Sequence, residues 1–352
     1  MSNTTTLNPV QPCETLSALK KLKVSVIVPV YNTEQYVERA IVSLMEQTLD
    51  DVEIIIIDDG SKDNSLAIIE QVIARYPARQ KLIKLVSREN RGVAKTRAQG
   101  MKLANGEYVI HLDSDDWVEL NWLESMYRKA IEDNADIVVC DYTSVFKMKN
   151  VQVHMPAEKT GEECLRQLLN DRQRGFTVNK LVSRKIINEV GDVFIEGVNF
   201  LEDYIYIAKC FKASNLVSYI PFCLYNYNQE NINSLTKGRS ESKKRDALEA
   251  VGYISRIIPC NEMTDDFMRF KIKIKSYLIY CEWDDVSKET WQLYLETNPY
   301  ILRSEIPVQI KIGMLLANLS CYSLATIWVK CFFSVKFFIK RIMPVNLCNR
   351  PI

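Results

Sequence analysis

The feature that most constrains the fold is an almost unbroken β-branched run, Val24-Ser25-Val26-Ile27-Val28-Pro29-Val30. A strand this apolar on both faces is typical of a parallel sheet covered by helices. As far as Asp141, further apolar runs alternate with segments of helical spacing, which predicts an α/β fold with a mostly parallel central sheet. The predicted strands are 24–30, 52–57, 82–86, 108–112 and 136–140, and the predicted helices are 34–47, 65–75, 93–104 and 120–134.

The second half of the chain alternates less regularly, and its elements are predicted to be shorter. Strands are expected near 142–147, 176–182 and 215–220. Helices are expected over 163–169, 204–212 and 242–257, and through much of 262–300.

Composition excludes several classes of protein. Gly and Pro number 11 each among 352 residues, too few for a collagen-like or low-complexity chain. Lys and Arg (45) balance Asp and Glu (44), so the whole chain shows no electrostatic footprint for nucleic acid. Ten cysteines without C-x-x-C, and only two histidines, argue against structural zinc and favour reduced thiols. With no apolar leader in the first 19 residues, a cytoplasmic protein is expected.

Three polar clusters follow predicted strands: Tyr31-Asn32, Asp58-Asp59-Gly60-Ser61 and Asp113-Ser114-Asp115-Asp116. Ligands of open α/β sheets bind outside the carboxyl ends of the strands. Helix capping alone explains a cluster such as 58–61, but three carboxylates within four residues repel each other unless a cation or donors lie among them. A D-x-D there is typical of Mg²⁺ or Mn²⁺ held together with substrate phosphates. No P-loop or G-x-G-x-x-G occurs, which disfavours ATPases and dinucleotide dehydrogenases.

An ordered set of motifs resembles family 2 glycosyltransferases of the bacterial envelope polysaccharide type. The motifs are 24–32, 57–63, 89–92 and 106–108 followed by 112–116. The resemblance implies a GT-A nucleotide-sugar-binding fold followed by a helical C-terminal region. The expected organisation is a loosely ordered lead (1–22), a catalytic domain (23–236), a helical region (237–305) and a basic amphipathic tail (306–352). Within the catalytic domain, 23–141 would bind the nucleotide sugar and 142–236 would form the acceptor side.

The resemblance also implies roles for single residues. Asp59, with Asp58, would face the nucleotide base, Asp113 would approach the donor sugar or ribose, and Asp115 would hold Mn²⁺ or Mg²⁺ together with Asp113. The residues implied in nucleotide-sugar binding are Pro29, Tyr31, Asn32, Asp58, Asp59, Arg91, Gly92, Arg97, Asp113 and Ser114. One departure is Ala98, where the family often has Asn.

The catalytic base implied by the resemblance is Asp203, in Phe200-Leu201-Glu202-Asp203, with Glu202 beside it. Tyr225-x-Tyr227 and Ser234 also match the family's pattern. The alternative is that the two acids simply begin a helix, where the dipole favours them. His111 is expected to be a packing residue rather than a catalytic one. Lys180 is expected either to reach a phosphate or to be solvated.

The tail is basic and aromatic. Residues 306–352 contain six basic residues and no acidic one. On a helix with about 100° per residue, one arc collects Lys330, Ser334, Lys336, Lys340 and Arg341. The opposite side collects Cys331, Phe332, Val335, Phe338, Ile339 and Ile342, with Phe333 and Phe337 as exceptions. This pattern predicts peripheral binding of 306–343 to an anionic membrane surface, at the inner face of the cytoplasmic membrane. The alternatives are packing on the protein's own core and a span over the uncharged stretch 312–329.

The predicted function is therefore inverting transfer of a sugar, expected from UDP-hexose or UDP-N-acetylhexosamine, to a hydroxyl of a glycan or glycolipid acceptor in lipopolysaccharide, capsule or exopolysaccharide. Nucleic acid is not an expected partner. A sugar-phosphate nucleotidyltransferase is the first alternative, although Pro29-Val30-Tyr31-Asn32-Thr33 lacks the Gly-rich loop of that class. The second is a membrane-associated scaffold that retains the fold without activity.

Overall fold

A computed structural model describes residues 21–191, 194–231, 240–258 and 263–342, with side chains described as far as residue 335. Most of the predicted lead, the end of the predicted tail and Ser234 lie outside the described residues. The strands are β1 (Val24–Val30), β2 (Val52–Asp58), β3 (Ile83–Ser87), β4 (Tyr108–His111), β5 (Trp117–Val118), β6 (Ile137–Phe146), β7 (Lys149–Val153), β8 (Lys180–Ser183) and β9 (Val217–Asn228).

These strands form one sheet in the order β3-β2-β1-β4-β8-β6-β9-β5, with β7 paired to β6. β1 is parallel to both β2 and β4, and β2 is parallel to β3. β8 runs antiparallel to β4 and to β6, whereas β6 and β9 are parallel. The predicted α/β class is confirmed. Because β1, β2 and β4 point the same way, their carboxyl ends meet at one edge of the sheet.

Helices cover the sheet and continue beyond it. They are α1 (Val37–Met45), α2 (Ser65–Arg75), α3 (Val93–Leu103), α4 (Trp122–Asp133), α5 (Gly161–Leu169), α6 (Arg184–Val190), α7 (Glu202–Ala213), α8 (Glu241–Ile257), α9 (Thr264–Cys281), α10 (Lys288–Gln292), α11 (Val308–Asn318) and α12 (Tyr322–Ile342). Short 3₁₀ turns occupy Gln80–Leu82 and Leu295–Tyr300.

Both faces of the sheet are buried, as the apolar strand sequences require. Along β2, Ile54 and Ile56 join one hydrophobic cluster with α1, α2 and α4, while Ile55 and Ile57 join the other with α3 and α5 to α9. Alternate residues of a strand point to opposite faces, so a strand covered on both sides must be apolar throughout. The result is a three-layer arrangement of helices, sheet and helices.

The two strands predicted at 136–140 and 142–147 are one strand, β6, with a break in register around Asp141. The polar residue that suggested an end is accommodated within the strand. Its buried carboxylate accepts hydrogen bonds from Met155 N (2.7 Å) and from the Tyr219 hydroxyl (2.8 Å). A bulge of this kind re-aims one side chain without ending the pairing.

The helices α8 and α9 pack against the part of the chain that contains the sheet. Ala250 and Ile254 of α8, with Phe270 and Ile274 of α9, belong to the same buried cluster as β2 and α7. The two regions therefore share one hydrophobic core.

The segment 312–329 is divided between α11 and α12 by a turn in which Ser320 adopts a positive φ of 62°. No helix in the described ranges is both long enough and apolar enough to cross a bilayer. Ala325, Val329 and Phe333 of α12 pack in a separate small core with α11 and Trp291. The burial of Phe333 explains why it is an exception to the predicted basic arc.

Candidate active site

The three predicted polar clusters meet at one edge of the sheet. Thr33, just after β1, donates through its hydroxyl to Ser114 Oγ (3.1 Å). Asn32 N donates to Ser61 Oγ (3.0 Å), and Lys62 N donates to Asn32 Oδ1 (2.8 Å). Asn32 adopts a left-handed backbone (φ 51°), which asparagine tolerates better than most residues. The parallel register of β1, β2 and β4 brings these loops together.

Asp58 and Asp59 end β2 and are both buried. Asp58 accepts hydrogen bonds from Ser61 N (3.0 Å) and Ser87 Oγ (2.7 Å). Asp59 accepts from Arg91 N and Gly92 N, each at 2.9 Å, and from the guanidinium of Arg88. The position predicted for Asp59 beside a nucleotide base stays a prediction. What the structure shows is that Asp59 holds the loop 88–92 against the end of β2.

Arg88 was not singled out from the sequence, because it lies just before the recognised motif at 89–92. Its guanidinium also donates to Thr96 Oγ1 (2.9 Å) and Gln99 Oε1 (2.7 Å), both on α3. Arg88 therefore links the end of β2 to the first turns of α3.

Gly92 precedes α3 with φ 87°, and a Cβ there would lie 2.5 Å from Asn199 Oδ1. The loop before α7 thus passes directly over the start of α3. That loop is held from the helical region, since Asp246 of α8 accepts hydrogen bonds from Asn199 N (2.9 Å) and Phe200 N (3.1 Å). Neither Asn199 nor Asp246 was predicted, because both act through long-range contacts that leave no local pattern in the sequence.

Arg97 joins the two halves of the site. It is buried on α3 and donates to Asp113 Oδ1 (2.8 Å) and to Glu202 Oε1 at the start of α7. Asp203 also lies close enough to influence its charge. The structure thus brings together the predicted residues Arg97, Asp113, Glu202 and Asp203 from three separate elements. Leu201 enters α7 through a left-handed backbone (φ 64°), which turns the two acids toward Arg97.

Burial dominates the acid–base properties of this group. Burial and the neighbouring Asp203 raise the pKa of Glu202 to about 8, against the opposing effect of Arg97. Burial also raises the pKa of Asp203, although Arg97 and the backbone N–H of Tyr204 favour its ionised form. Burial acts to lower the pKa of Arg97, but Asp113 and Glu202 outweigh it, so the guanidinium remains charged. The buried guanidinium of Arg97 therefore interacts with three acids, Asp113, Glu202 and Asp203.

The remaining acids of the 113–116 cluster differ in their partners. Asp115 is partly exposed and accepts a hydrogen bond from Asn231 Nδ2 (2.8 Å). Asp116 is buried and accepts from Asn228 N (2.7 Å) and from the Tyr225 hydroxyl. Burial and the charges of Asp115 and Asp113 raise the pKa of Asp116 well above its usual value. Asp116 thus ties the end of β9 to the cluster, which gives the predicted Tyr225 a structural partner.

Two carboxylates of the 113–116 cluster remain accessible to a ligand at the edge of the sheet. The side chain of Asp113 is one-third exposed, and that of Asp115 is half-buried. Among the residues that the structure describes, no group of three or more His, Cys, Asp or Glu side chains is placed to hold a metal. Two aspartates that supply only oxygen fit Mg²⁺ or Mn²⁺ when ligand phosphates complete the coordination.

Other predicted contacts line the open side of this edge. The side chains of Tyr31 (46% exposed) and Arg91 are accessible to solvent, and Pro29 is half-buried. They are free to meet a ligand that reaches Asp113 and Asp115.

His111 is a packing residue, as expected. It is buried, its ring meets Phe194 and Tyr206 edge-on, and Nε2 has no hydrogen-bond partner within the described part of the chain. Burial and the charge of Arg97 lower the pKa of His111 well below its usual value.

Both interpretations of Lys180 from the sequence, as a phosphate ligand or a solvated lysine, are wrong. Its side chain is fully buried, and Nζ donates to Arg174 O (2.8 Å), Phe176 O (3.0 Å) and Asn179 Oδ1 (2.9 Å). Burial lowers its pKa to about 7. Gly175, between the two carbonyls, packs so closely on Tyr204 that an added Cβ would lie 2.7 Å from Tyr204 Cα. Lys180 thus fixes a loop against the residue that follows Asp203.

Comparison with known proteins identifies the family. Residues 25–191 match the model of the glycosyl transferase family 2 domain. An uncharacterized glycosyltransferase of Haemophilus influenzae is 30% identical over 190 residues, which cover 54% of this chain and 72% of that protein. The chain belongs to glycosyltransferase family 2. The prediction made from the ordered motifs is confirmed.

A second relative is the putative glycosyltransferase EpsH of Bacillus subtilis. It is 34% identical over 211 residues, which cover 58% of this chain and 60% of EpsH. The chain thus spans about six-tenths of the length of this relative.

Solved structures confirm the GT-A-like fold over most of the chain. S. aureus TarS 1-349 in complex with UDP-GlcNAc superposes with a TM-score of 0.65 at 19% identity, covering 89% of this chain and 92% of that one. The mannosyltransferase PcManGT from Pyrobaculum calidifontis, in complex with GDP-Man and Mn²⁺, gives a TM-score of 0.50 at 15% identity and covers 93% of this chain and 89% of that one.

Proposed function

We propose that this family 2 protein transfers a sugar from a nucleoside-diphosphate donor to a hydroxyl of a cell-envelope glycan or glycolipid, with inversion at the sugar carbon. The observation that carries the proposal is the assembly around Arg97, which brings Asp113 from one strand end into the same group as Glu202 and Asp203 on α7. In this proposal the edge that binds the sugar donor and the general base that acts on the acceptor lie side by side.

In this proposal Asp203 accepts the proton of the acceptor hydroxyl. The hydroxyl oxygen forms a bond to the anomeric carbon as the bond from that carbon to the diphosphate breaks, and the nucleoside diphosphate departs. Attack from the face opposite the leaving group inverts the configuration. Glu202 is held by the Arg97 guanidinium, and Asp203 is the acid of the pair that is proposed to accept the proton.

Asp115 and Asp113 would hold Mg²⁺ or Mn²⁺ together with the diphosphate, and the cation would supply neutralisation of negative charge on the leaving group. Asp59 and Asp58 organise the loop that would receive the base, while Tyr31, Asn32 and Arg91 would line the same pocket. The PcManGT complex, which contains Mn²⁺ beside GDP-Man, supports a divalent cation in this fold.

The donor proposed first is UDP-hexose or UDP-N-acetylhexosamine. The UDP-GlcNAc in the TarS complex supports a uridine donor. A sugar-phosphate nucleotidyltransferase is disfavoured by family membership, and an inactive scaffold is disfavoured by the preserved assembly around Arg97. We place the enzyme in the cytoplasm, at the inner face of the membrane.

The test is release of nucleoside diphosphate from a panel of nucleotide sugars in the presence of Mn²⁺, Mg²⁺ or EDTA. We expect cation-dependent release from one donor of the panel. Asp115→Ala should abolish release by weakening donor binding in the presence of cation. Asp203→Asn should lower transfer by about 10²- to 10⁴-fold while donor binding persists, because only proton removal is lost.

His111→Phe serves as a control, since it keeps the aromatic packing and leaves the acids unchanged. Near-normal transfer by Asp203→Asn would show that the base has been assigned to the wrong residue. Absence of both release and donor binding across the whole panel would favour the scaffold.

A further inference from the structure

The hairpin of α11 and α12 exposes an unusual amount of apolar surface. On α12, side chains spaced by three or four residues point away from the small core. They are Leu324, Ile327, Trp328, Phe332 and Val335. On α11, the exposed apolar side chains are Val308, Leu315 and Leu319. We call these eight residues the outward face.

The outward face belongs to a well-anchored hairpin. On the opposite side of α12, Ala325, Val329 and Phe333 are buried against α11 and Trp291. The Trp291 indole donates to Thr326 Oγ1 (3.1 Å), which fixes the rotation of α12. The exposed residues are therefore a second apolar stripe on a helix whose first stripe is already packed.

The two exposed stripes are joined at one end. The indole N–H of Trp328 donates to Gln309 O, next to Val308, at 3.0 Å. With its only donor satisfied by the chain, the half-exposed ring of Trp328 presents apolar surface outward. Contiguous exposed apolar surface of this kind marks an interaction site.

Charge identifies what this surface fits. Between residues 306 and 352 the sequence has six basic residues and no acid, whereas residues 1–305 carry a net charge of −5. Lys311 and Lys330 belong to the two helices, and Lys330 is exposed. A second copy of this chain would bring like charges together, which disfavours self-association. An anionic lipid surface offers both an apolar layer and opposite charge.

We infer that α11 and α12 dock side-on to an anionic bilayer, with the outward face in the boundary between headgroups and acyl chains. Lys330, which is exposed on α12, contacts lipid phosphates. This docking goes beyond sugar transfer, because it depends on none of the residues at the edge of the sheet. It requires neither helix to cross the bilayer.

The experiment is vesicle flotation with the full chain. Vesicles of phosphatidylcholine mixed with phosphatidylglycerol are compared with vesicles of phosphatidylcholine alone. We expect binding only to the anionic vesicles, weakened by added salt. Ile327→Glu and Val335→Glu should each lower binding by about tenfold or more, because each removes apolar burial and places a charge in the interface.

Met148→Glu and Phe222→Glu are the matched controls, since both residues are exposed, at 79% and 65%, and lie outside the hairpin. They should bind vesicles as the unchanged protein does. Lys330→Glu should also weaken binding, and its difference from the unchanged protein should grow as the phosphatidylglycerol fraction increases.

Equal binding by Ile327→Glu and the controls would overturn the inference, as would binding that ignores lipid charge. Sedimentation showing a dimer that Ile327→Glu dissociates, without vesicle binding, would assign the face to self-association instead. Circular dichroism and donor hydrolysis in the absence of lipid show whether each variant is folded and active. A failure of docking is thereby distinguished from a failure of the proposed function.

Discussion

The two acidic clusters that follow β2 and β4, on either side of β1, are similar in sequence but differ in their electrostatics. Asp58 and Asp59 receive hydrogen bonds from backbone N–H groups, hydroxyls and Arg88, all from the surrounding loops. The cluster around Arg97 holds Asp113, Glu202 and Asp203 against one buried cation. The carboxylates of the first cluster are satisfied by donors of the surrounding loops, whereas the second holds three acids against one cation.

The contrast indicates which cluster is built for a ligand. Donors that already pair with a carboxylate stabilise the loop but leave little to offer a cation. Acids held together without enough donors have raised pKa values, as Glu202 and Asp203 do, and attract a cation or a proton. On this basis we propose the 58–59 cluster as a scaffold for the nucleotide loop and the 113–115 cluster, with the neighbouring Glu202 and Asp203, as the charged centre.

Loss of the buried Arg97 guanidinium should have the largest effect on stability. Arg97→Met is expected to lower the free energy of unfolding by about 3 kcal/mol, because it leaves the buried Glu202 and the partly buried Asp113 without their partner. Arg88→Met should cost less, since Asp59 retains the N–H groups of Arg91 and Gly92. Urea denaturation of the two variants measures the difference.

The pH dependence of Arg97→Met gives a second check. A carboxyl whose pKa is higher in the folded state than in the unfolded chain destabilises the fold as pH rises from its ordinary value toward the raised one. For Glu202 that interval is from 4.5 to about 8, and it should widen when Arg97 is removed. Arg97→Met should therefore be least destabilised near the lower limit. Equal losses for Arg88→Met and Arg97→Met at all pH values would remove the contrast between the clusters.

Divalent cation should stabilise the protein through one cluster only. If Mn²⁺ binds at Asp113 and Asp115 with donor, ligand at a hundredfold excess over its Kd adds about 2.7 kcal/mol. Thermal unfolding with UDP and Mn²⁺, compared with UDP and EDTA, measures this increment. Asp115→Ala should abolish it.

Asp58→Asn is the matched control, because it changes a carboxylate of the other cluster that already has two donors. It should keep the Mn²⁺ increment even if the variant is less stable. A loss of the increment in Asp58→Asn and its retention in Asp115→Ala would reverse the assignment of the two clusters.

Most of the fold could be predicted from the sequence, because the patterns that mark strands and helices are local. Apolar runs that end in polar residues mark the strands, as at 24–30, 58–61 and 113–116. In the structure, β1 and β2 lie where these runs place them. The same ordered motifs identified the family correctly. Strand ends meet wherever strands are parallel, so the convergence of the clusters was also predictable.

What the sequence could not show are contacts that join distant segments. Asp246 of α8 holds the backbone at 199–200, and Asp141 lies inside one continuous strand where two strands were predicted. Lysine usually lies at the surface, but three oxygens of the preceding loop accept hydrogen bonds from the Lys180 ammonium group. Such roles follow from tertiary burial, which no spacing of residues encodes.

Replacement of Lys180 should have the smallest effect on stability and the most specific effect on pH dependence. Lys180→Met keeps the length of the side chain but leaves Arg174 O and Phe176 O without their donor. Removal of a buried ammonium offsets part of that loss, so the net cost at neutral pH should be about 1 kcal/mol.

The sign of the pH effect follows from the lowered pKa of Lys180. The pKa of this lysine falls from 10.5 to about 7 on folding, so the unfolded chain binds more protons between these values. Its contribution therefore makes the wild-type protein more stable as pH rises through that interval, and Lys180→Met should lose this slope in urea titrations. The positive charge also favours ionised Asp203, so its removal should move the acidic limb of the kcat profile to higher pH. A purely structural role would lower kcat equally at every pH, and that result would separate Lys180 from the proposed base.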